Sequence, residues 1–163
     1  MTAFRIRHDT YRQTGYTLFE LIITIAIISI VFGLARAAYI TFNKRERLRQ
    51  AGLNLKANLR FAQTKSLSAE KPSSGCTTFS GMQVSFTSNT YSIVHVCTEG
   101  AVGTSIDTTL PSDITFSPTP TTFTFLPLTR STSLQSGQSL VLTNGLASYT
   151  LVVSGGGDIS DSE

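Results

Sequence analysis

The sequence is poor in the residues from which metal centres and catalytic sites are built. Its only histidines are His8 and His95, and neither stands in a spacing typical of a metal-ligand cluster. There is no phosphate-binding loop and no nucleophile elbow, and His95 lies within a strand-like pattern. Asp107 and Asp113 fall in a predicted loop with no partner evident. The sequence therefore predicts no catalytic residue, no metal and no cofactor.

Charge is missing from one long stretch and unevenly distributed elsewhere. Residues 21–35 carry no charge, whereas residues 36–71 are rich in arginine and lysine. Beyond them the only basic residue is Arg130, so the net charge of +3 is owed to one segment. Such a segment is typical of a stop-transfer sequence followed by a solvated helix face, and no stacking aromatics or recognition motif accompany it. This pattern argues against nucleic acid as a partner.

No proline precedes Pro72, and its absence permits one long helix. The apolar run of residues 16–35 is long enough for an α-helix to cross a bilayer. Beyond it, small and apolar residues recur at steps of three and four, which predicts an amphipathic helix packed on a sheet. This stripe comprises Leu48, Ala51, Leu55, Leu59, Ala62 and Ser66. Residues 72–75 then form a helix stop.

After Gly75 the pattern changes to the alternation of apolar and polar residues that is typical of β-strands. We expect about six antiparallel strands, which with the helix make an α+β fold. The predicted strands are 84–86, 91–97, 114–116, 123–125 and a hairpin of 140–142 with 149–153 around Asn144-Gly145. Residues 158–163 are expected to be a polar, frayed tail.

Two cysteines, Cys76 and Cys97, lie beyond the apolar run. In an exported domain an even number of cysteines indicates a disulfide, whereas in a cytosolic protein the two would be free thiols. We expect the disulfide, which in the loop-entropy model would stabilise the fold by about 3 kcal/mol.

The N-terminus combines a basic segment with the apolar run, as targeting segments do. Three interpretations are open: a secretory signal peptide cleaved before Ala38, a plain signal anchor, or a segment with a further function. Neither of the first two explains Glu20, which stands inside the front of the apolar stretch. A carboxylate at such depth costs about 2.5–3.5 kcal/mol on insertion scales and needs a partner.

The string Gly15-Tyr16-Thr17-Leu18-Phe19-Glu20-Leu21 resembles the type IV prepilin cleavage motif. The resemblance implies that prepilin peptidase cuts between Gly15 and Tyr16 and methylates the new amine of Tyr16. Glu20 would then pair with the N-terminal amine of a neighbouring subunit during assembly, since a cation in apolar surroundings is what a buried carboxylate requires. Tyr16 replaces the commoner phenylalanine, and Ala37 stands where many pilins have a proline.

The rest of the chain resembles the GspH/FimT group of minor pilins and pseudopilins. Residues 58–63 are similar to the group's helix end, and residues 149–157 to its final strand and glycine turn. The resemblance implies a minor pilin or pseudopilin of a type IV pilus or type II secretion pseudopilus. The alternative is a DNA- or surface-binding minor pilin of a competence or adhesion pilus. Group members that bind DNA use arginines beside the last glycine, but here Asp158 and Ile159 follow Gly157.

These inferences give an expected organisation of four segments. They are a prepilin leader at 1–15, a transmembrane and filament-core helix at 16–37, an amphipathic continuation at 38–71, and a β-rich head with a polar tail at 72–163. The partners implied are other pilin or pseudopilin subunits, prepilin peptidase, the cytoplasmic membrane and the inner-membrane assembly platform. We expect a single-pass protein with its head outside the cytoplasm, in the periplasm or at the cell surface. That orientation follows from the resemblance and the cysteine pair, because basic residues flank the apolar run on both sides.

Overall fold

The computed structural model of the chain describes residues 15–162. The predicted leader, apart from Gly15, lies outside these residues. The chain divides into two units, one of residues 15–40 and one that begins at Thr41. The boundary falls within the only helix of the described part, α1 (Leu18–Leu67).

In the first unit, α1 exposes apolar side chains on every side. Leu18, Phe19 and Phe32 are each more than 70% exposed, at 76%, 72% and 73%. The most apolar 18-residue window has a mean hydropathy of 2.6, and none of it is buried within the described chain. Length and composition make α1 able to cross a membrane. An apolar surface of this extent needs a membrane or neighbouring helices to cover it.

Within the uncharged residues 21–35, the two hydroxyl side chains form hydrogen bonds to carbonyl oxygens of the helix itself. Thr24 donates to the carbonyl oxygen of Leu21, and Ser29 donates to that of Ile25, both at 2.8 Å. Back-bonding of this kind removes the need for water, so these residues are compatible with a lipid or helix-packed environment.

In the second unit, α1 packs through the stripe that the sequence predicts. All six members are buried, and Leu55, Leu59 and Ala62 are fully inaccessible. The helix ends at Leu67, not at residue 71 as expected. The N–H groups of Ala69 and Glu70 bond back to the carbonyls of Ser66 and Lys65, with Ala69 at a φ of 47°. This local backbone cap ends the helix before Pro72 is reached.

Eight strands follow the helix and form two antiparallel four-stranded sheets, so the α+β prediction is confirmed. One sheet has the order β3-β2-β1-β5 and the other β4-β6-β7-β8. The strands are β1 (Phe79–Phe86), β2 (Thr90–Cys97), β3 (Gly100–Thr109), β4 (Thr115–Phe116), β5 (Phe123–Phe125), β6 (Gln138–Thr143), β7 (Ser148–Val153) and β8 (Ile159–Ser162). The β6–β7 hairpin turns at Asn144 and Gly145, as predicted.

One hydrophobic cluster joins the helix stripe to both sheets. The first sheet contributes Met82, Val84, Tyr91, Ile93, Phe123 and Phe125; the second contributes Phe116, Leu140, Leu142, Leu151, Val153 and Ile159. Aromatic rings make edge contacts within it, such as Phe123 against Phe125 at a centroid distance of 5.4 Å. The head is therefore held on the helix by a single shared core.

Strand β3 corrects the prediction that Asp107 lies in a loop. It pairs with β2 along most of its length, with Asp107 opposite Ser92. It is an edge strand whose residues are largely exposed, and its glycines Gly100 and Gly103 have positive φ. Because neither face is buried, the strand carries no apolar alternation from which it could be predicted.

Strand β8 corrects the prediction of a frayed tail at 158–163; residue 163 lies outside the described range. Residues 159–162 pair with β7, and Ile159 enters the core. The Lys56 ammonium lies 2.8 Å from the Asp161 carboxylate, and this hydrogen bond lowers the pKa of that carboxyl. The tail is thus fixed both to the sheet and to the helix. The strand was not predicted from the sequence because three of its four residues are polar.

The end of α1 is fastened to the loops that leave β5 and β7. The Gln63 amide donates to the carbonyl oxygens of Arg130 and Gly157, at 3.1 and 2.6 Å. Ser66 donates to the carbonyl oxygen of Phe125 at 2.6 Å. These side-chain bonds satisfy backbone carbonyls of β5 and of the two loops, so they fix how the end of α1 meets these parts of the head.

Candidate functional site

The first turn of α1 contains Glu20, the carboxylate that stands inside the apolar run. The helix begins at Leu18, so Thr17 stands at the N-cap position and Glu20 at the third helical position. The Thr17 hydroxyl accepts a hydrogen bond from the backbone N–H of Glu20 at 3.3 Å. Thr-x-x-Glu is the sequence of a capping box, and this bond is one of its two halves. Thr17 was missed as a functional residue, although its spacing from Glu20 could have revealed it.

The Glu20 carboxylate stands on an otherwise apolar, exposed surface. Leu18 and Leu21 beside it are 76% and 55% exposed. None of the ion pairs formed among residues 15–162 involves Glu20. Its place in the first turn is favourable, because the helix dipole attracts negative charge there. The carboxylate is therefore available to a cation from outside the described chain.

Gly15 and Tyr16 precede the helix and make no packing contact that would fix their identity. A Cβ atom built on Gly15 would meet nothing within 4 Å, and Tyr16 is 83% exposed. Packing among residues 15–162 therefore gives no reason for glycine at position 15.

Comparison with known proteins bears on this segment. Residues 10–35 match the family model of the prokaryotic N-terminal methylation motif. This match supports a type IV pilin-like protein. It covers Gly15, Tyr16 and Glu20 together, and it implies processing by prepilin peptidase and contact with other pilin subunits. Comparisons with curated proteins and with solved structures found no match to this chain.

The disulfide of the pilin-like head is present. Cys76 and Cys97 are bonded, with their Cα atoms 5.6 Å apart, and link the segment after α1 to the end of β2. Beside it, the Glu99 carboxylate accepts a hydrogen bond from the Thr77 N–H at 3.2 Å. Hydrogen bonding from Thr77 lowers the pKa of the Glu99 carboxyl. The disulfide and Glu99 together hold the segment that leads from the helix into the sheet.

Loss of this disulfide is expected to destabilise the head by about 3 kcal/mol, since the closed loop is about 22 residues long. The test compares thermal unfolding of the native chain with that of Cys76→Ser/Cys97→Ser, which leaves no unpaired thiol. A second variant, Glu99→Gln, is the control that weakens the same segment without breaking the covalent bond. Equal unfolding temperatures for the double variant and the native protein would show that β1–β2 pairing alone fixes this segment.

Two basic residues of α1 meet acidic neighbours in the head. Arg47 lies 3.1 Å from Asp113, and Lys56 pairs with Asp161 as above. Asp113 therefore has a partner, which corrects the expectation that none was evident. These pairs assign the two acids to fixing α1 against the sheets. Among residues 15–162 no group of three or more His, Cys, Asp or Glu side chains could hold a metal ion.

The glycine turn at the end of β7 has an arginine beside it in space. Gly157 packs against the backbone of Arg130, close enough that a Cβ atom would lie 1.5 Å from the Arg130 carbonyl oxygen. The sequence neighbours of Gly157 gave no sign of this arginine. One arginine does not make a basic patch, so the prediction against nucleic acid stands as a prediction.

Proposed function

We propose that the chain is a structural subunit, a minor pilin or pseudopilin of the GspH/FimT type, in a type IV pilus or type II secretion pseudopilus. Prepilin peptidase cuts between Gly15 and Tyr16 and methylates the Tyr16 amine. The apolar half of α1 holds the mature subunit in the cytoplasmic membrane, with the head outside the cytoplasm, and then packs in the filament. The observation that carries this proposal is the methylation-motif match over residues 10–35.

The surface of the first unit suits two successive environments of the helix, first the membrane and then the filament. Its side chains are apolar on all sides and exposed, so they suit a bilayer and equally the packed helices of a filament core. A secretory signal peptide would also be apolar, but cleavage before Ala38 would remove this surface from the mature protein. The proposal keeps it as the assembly surface.

The chemistry of Glu20 supports assembly through a neighbour's N-terminus. Cleavage before Tyr16 creates an amine two residues before α1 begins. This cation lies at the positive end of a helix dipole and in apolar surroundings, both of which destabilise it. A carboxylate from an adjacent subunit offsets both costs. Methylation retains the positive charge, so the pairing persists after modification.

The division of the chain supports separate roles for its two halves. The unit from Thr41 onward contains the whole hydrophobic cluster and the disulfide. Residues 15–40 contribute nothing to that core. We assign 1–15 to the leader, 16–37 to the membrane and filament-core helix, 38–71 to the helical continuation and 72–163 to the head.

Substitution at Gly15 tests the processing step. Gly15→Val should leave at least about nine-tenths of the chain as precursor in cells that carry prepilin peptidase, because a β-branched side chain cannot adopt every backbone conformation that glycine offers at a cut site. Immunoblotting of membrane fractions separates precursor from mature form. Gly33→Val is the matched control, since a Cβ at Gly33 also meets nothing within 4 Å.

Normal maturation of Gly15→Val would contradict cleavage after residue 15. Failure of Gly33→Val to mature would instead show that the apolar helix, and not the cut site, was disturbed.

A further inference from the structure

Two cations at the start of the second unit have no acidic partner. Lys44 and Arg45 are exposed and take part in none of the ion pairs formed within residues 15–162. Arg47 and Lys56, further along the helix, are paired with acids of the head. Arg49 is paired with Glu46 of the helix itself, whereas Lys44 and Arg45 are open to an outside anion.

An apolar turn lies against the same part of the helix. The Asn144 side chain donates to the carbonyl oxygen of Lys44 at 2.9 Å, which fastens the β6–β7 turn to the helix there. The Asn144 side-chain oxygen also accepts the N–H groups of Leu146 and Ala147, at 3.1 and 3.0 Å. The turn is therefore held by its own hydrogen bonds, and Leu146 at its tip is 55% exposed.

A groove connects these elements. It is lined on the helix by Arg45, Leu48 and Arg49, on the turn by Ala147, and on the sheet by Tyr149 and by Asp161, which is paired with Lys56, and its volume is about 570 Å³. Phe42, one turn before Arg45 on the helix, is 64% exposed. The base of the second unit, around the groove and the turn, thus presents cations and exposed apolar side chains at Phe42, Lys44, Arg45, Arg49 and Leu146, with Glu46 paired to Arg49. We call this region the basal surface.

Chain connectivity limits the distance between Lys44 and the proposed membrane segment. Lys44 follows Ile40, the last residue of the first unit, by four residues, so it lies at most about 14 Å from it. This limit holds for any arrangement of the two units. Cations that flank exposed apolar side chains are the composition that the interface of an anionic bilayer attracts.

We infer that the basal surface docks on the anionic lipid headgroups of the membrane while the subunit awaits assembly. Lys44 and Arg45, which are outside the ion pairs formed among residues 15–162, contact the phosphates, and Leu146 and Phe42 enter the region between headgroups and acyl chains. The inference rests on the proposed membrane-anchored state. Docking gives the basic residues beyond the apolar run a partner, and it holds the head against the bilayer until the subunit is drawn into a filament.

A single introduced tryptophan tests this docking, because the native chain contains none. Leu146→Trp is placed in the full chain and reconstituted in vesicles that contain phosphatidylglycerol, and separately in vesicles of phosphatidylcholine alone. We expect a blue-shifted emission, quenched by lipids brominated near the headgroup, only with phosphatidylglycerol. Leu128→Trp is the control, because the Leu128 side chain is 73% exposed. The backbone N–H of Leu128 donates to the carbonyl oxygen of Ser66, which lies about 33 Å along the helix from Lys44.

Removing charge should undo the effect. Lys44→Gln/Arg45→Gln in the Leu146→Trp background should lower the ratio of docked to undocked heads by about 25-fold, since each basic residue near an anionic surface contributes about fivefold. Raising salt from about 0.1 to about 1 M should act likewise, because the Debye length falls from about 10 to about 3 Å.

Three fluorescence outcomes would overturn the inference: equal quenching in both vesicle types, equal quenching of the Leu128→Trp control, or a shift that rises with protein concentration at fixed lipid. The last would identify a second copy of the chain as the occupant. Resistance of the protein to extraction by alkaline carbonate is measured in parallel. If the protein resists extraction but the Leu146→Trp emission is unchanged, the docking alone is contradicted. If carbonate extracts the protein, the membrane anchoring of the proposed function is contradicted as well.

Discussion

Glu20→Ala is expected to lower incorporation of the subunit into filaments by about 100-fold or more. The substitution leaves the neighbouring Tyr16 amine as an unpaired charge in apolar surroundings, and breaking a buried ion pair costs about 3–5 kcal/mol. Loss of the carboxylate also removes favourable charge from the first turn of α1, which is a smaller effect of about 0.3–1 kcal/mol. The mature subunit should therefore accumulate in the membrane.

The measurement is the ratio of subunit in sheared or purified filaments to subunit in the membrane, by quantitative immunoblotting. Glu46→Ala is the control on the same helix, where the carboxylate only accepts a hydrogen bond from Gln50 and faces Arg49. Both variants must show the same mature N-terminus, so that a processing defect is separated from an assembly defect. Equal incorporation of Glu20→Ala and the native subunit would remove the ion pair from the account.

Gly157→Ala is expected to destabilise the head by more than about 4 kcal/mol, which is exceptional for one methyl group. Its Cβ would lie 1.5 Å from the carbonyl oxygen of Arg130 and 2.8 Å from the Gln63 amide nitrogen. The first contact is with backbone and cannot be relieved by a side-chain rotation. Relief requires that the loop after β5 or the turn after β7 moves away from the helix end, with loss of the Gln63 hydrogen bonds.

Two glycines serve as matched controls for this substitution. Gly145 has nearly the same φ as Gly157, +79° against +81°, but open space around it. Gly145→Ala therefore measures the cost of the left-handed backbone alone, about 1–2 kcal/mol. At Gly156 a Cβ would meet only the Ser154 hydroxyl oxygen, at 3.7 Å, so Gly156→Ala should change stability little. Thermal unfolding of the detergent-solubilised chain compares the three; similar losses for Gly157→Ala and Gly145→Ala would contradict the close approach to Arg130.

The features that could be predicted from sequence are those with a strong local period or a local turn. The stripe from Leu48 to Ser66 follows the helical repeat and is buried as expected. The Asn144-Gly145 pair specified the β6–β7 hairpin, because Gly145 supplies the positive φ that its turn needs. In both cases the signal and the structure arise from residues close together in the chain.

The features that were missed depend on partners distant in the chain. Strand β3 is held only by pairing with β2, and β8 by β7 and Lys56, so neither carries an apolar period of its own. The nearness of Arg130 to Gly157 arises from the meeting of two loops on Gln63. Such contacts form only in the assembled fold, so patterns in a single sequence do not reveal them.

The candidate site divides in the same way. Glu20 could be found because a carboxylate in an apolar run conflicts with its surroundings, and that conflict is visible in the sequence alone. Thr17 was overlooked because a threonine raises no conflict; its role is apparent only once the helix is known to begin at Leu18. The cation proposed to pair with Glu20 belongs to another molecule.

The most direct test of the account is the mass of the mature N-terminal peptide. The subunit is isolated from the membrane of cells that carry prepilin peptidase, and the peptide is identified by tandem mass spectrometry. The account predicts a chain that begins at Tyr16 and carries one methyl group on its amine. A mature chain that begins at Ala38, or one that retains its leader, would contradict it.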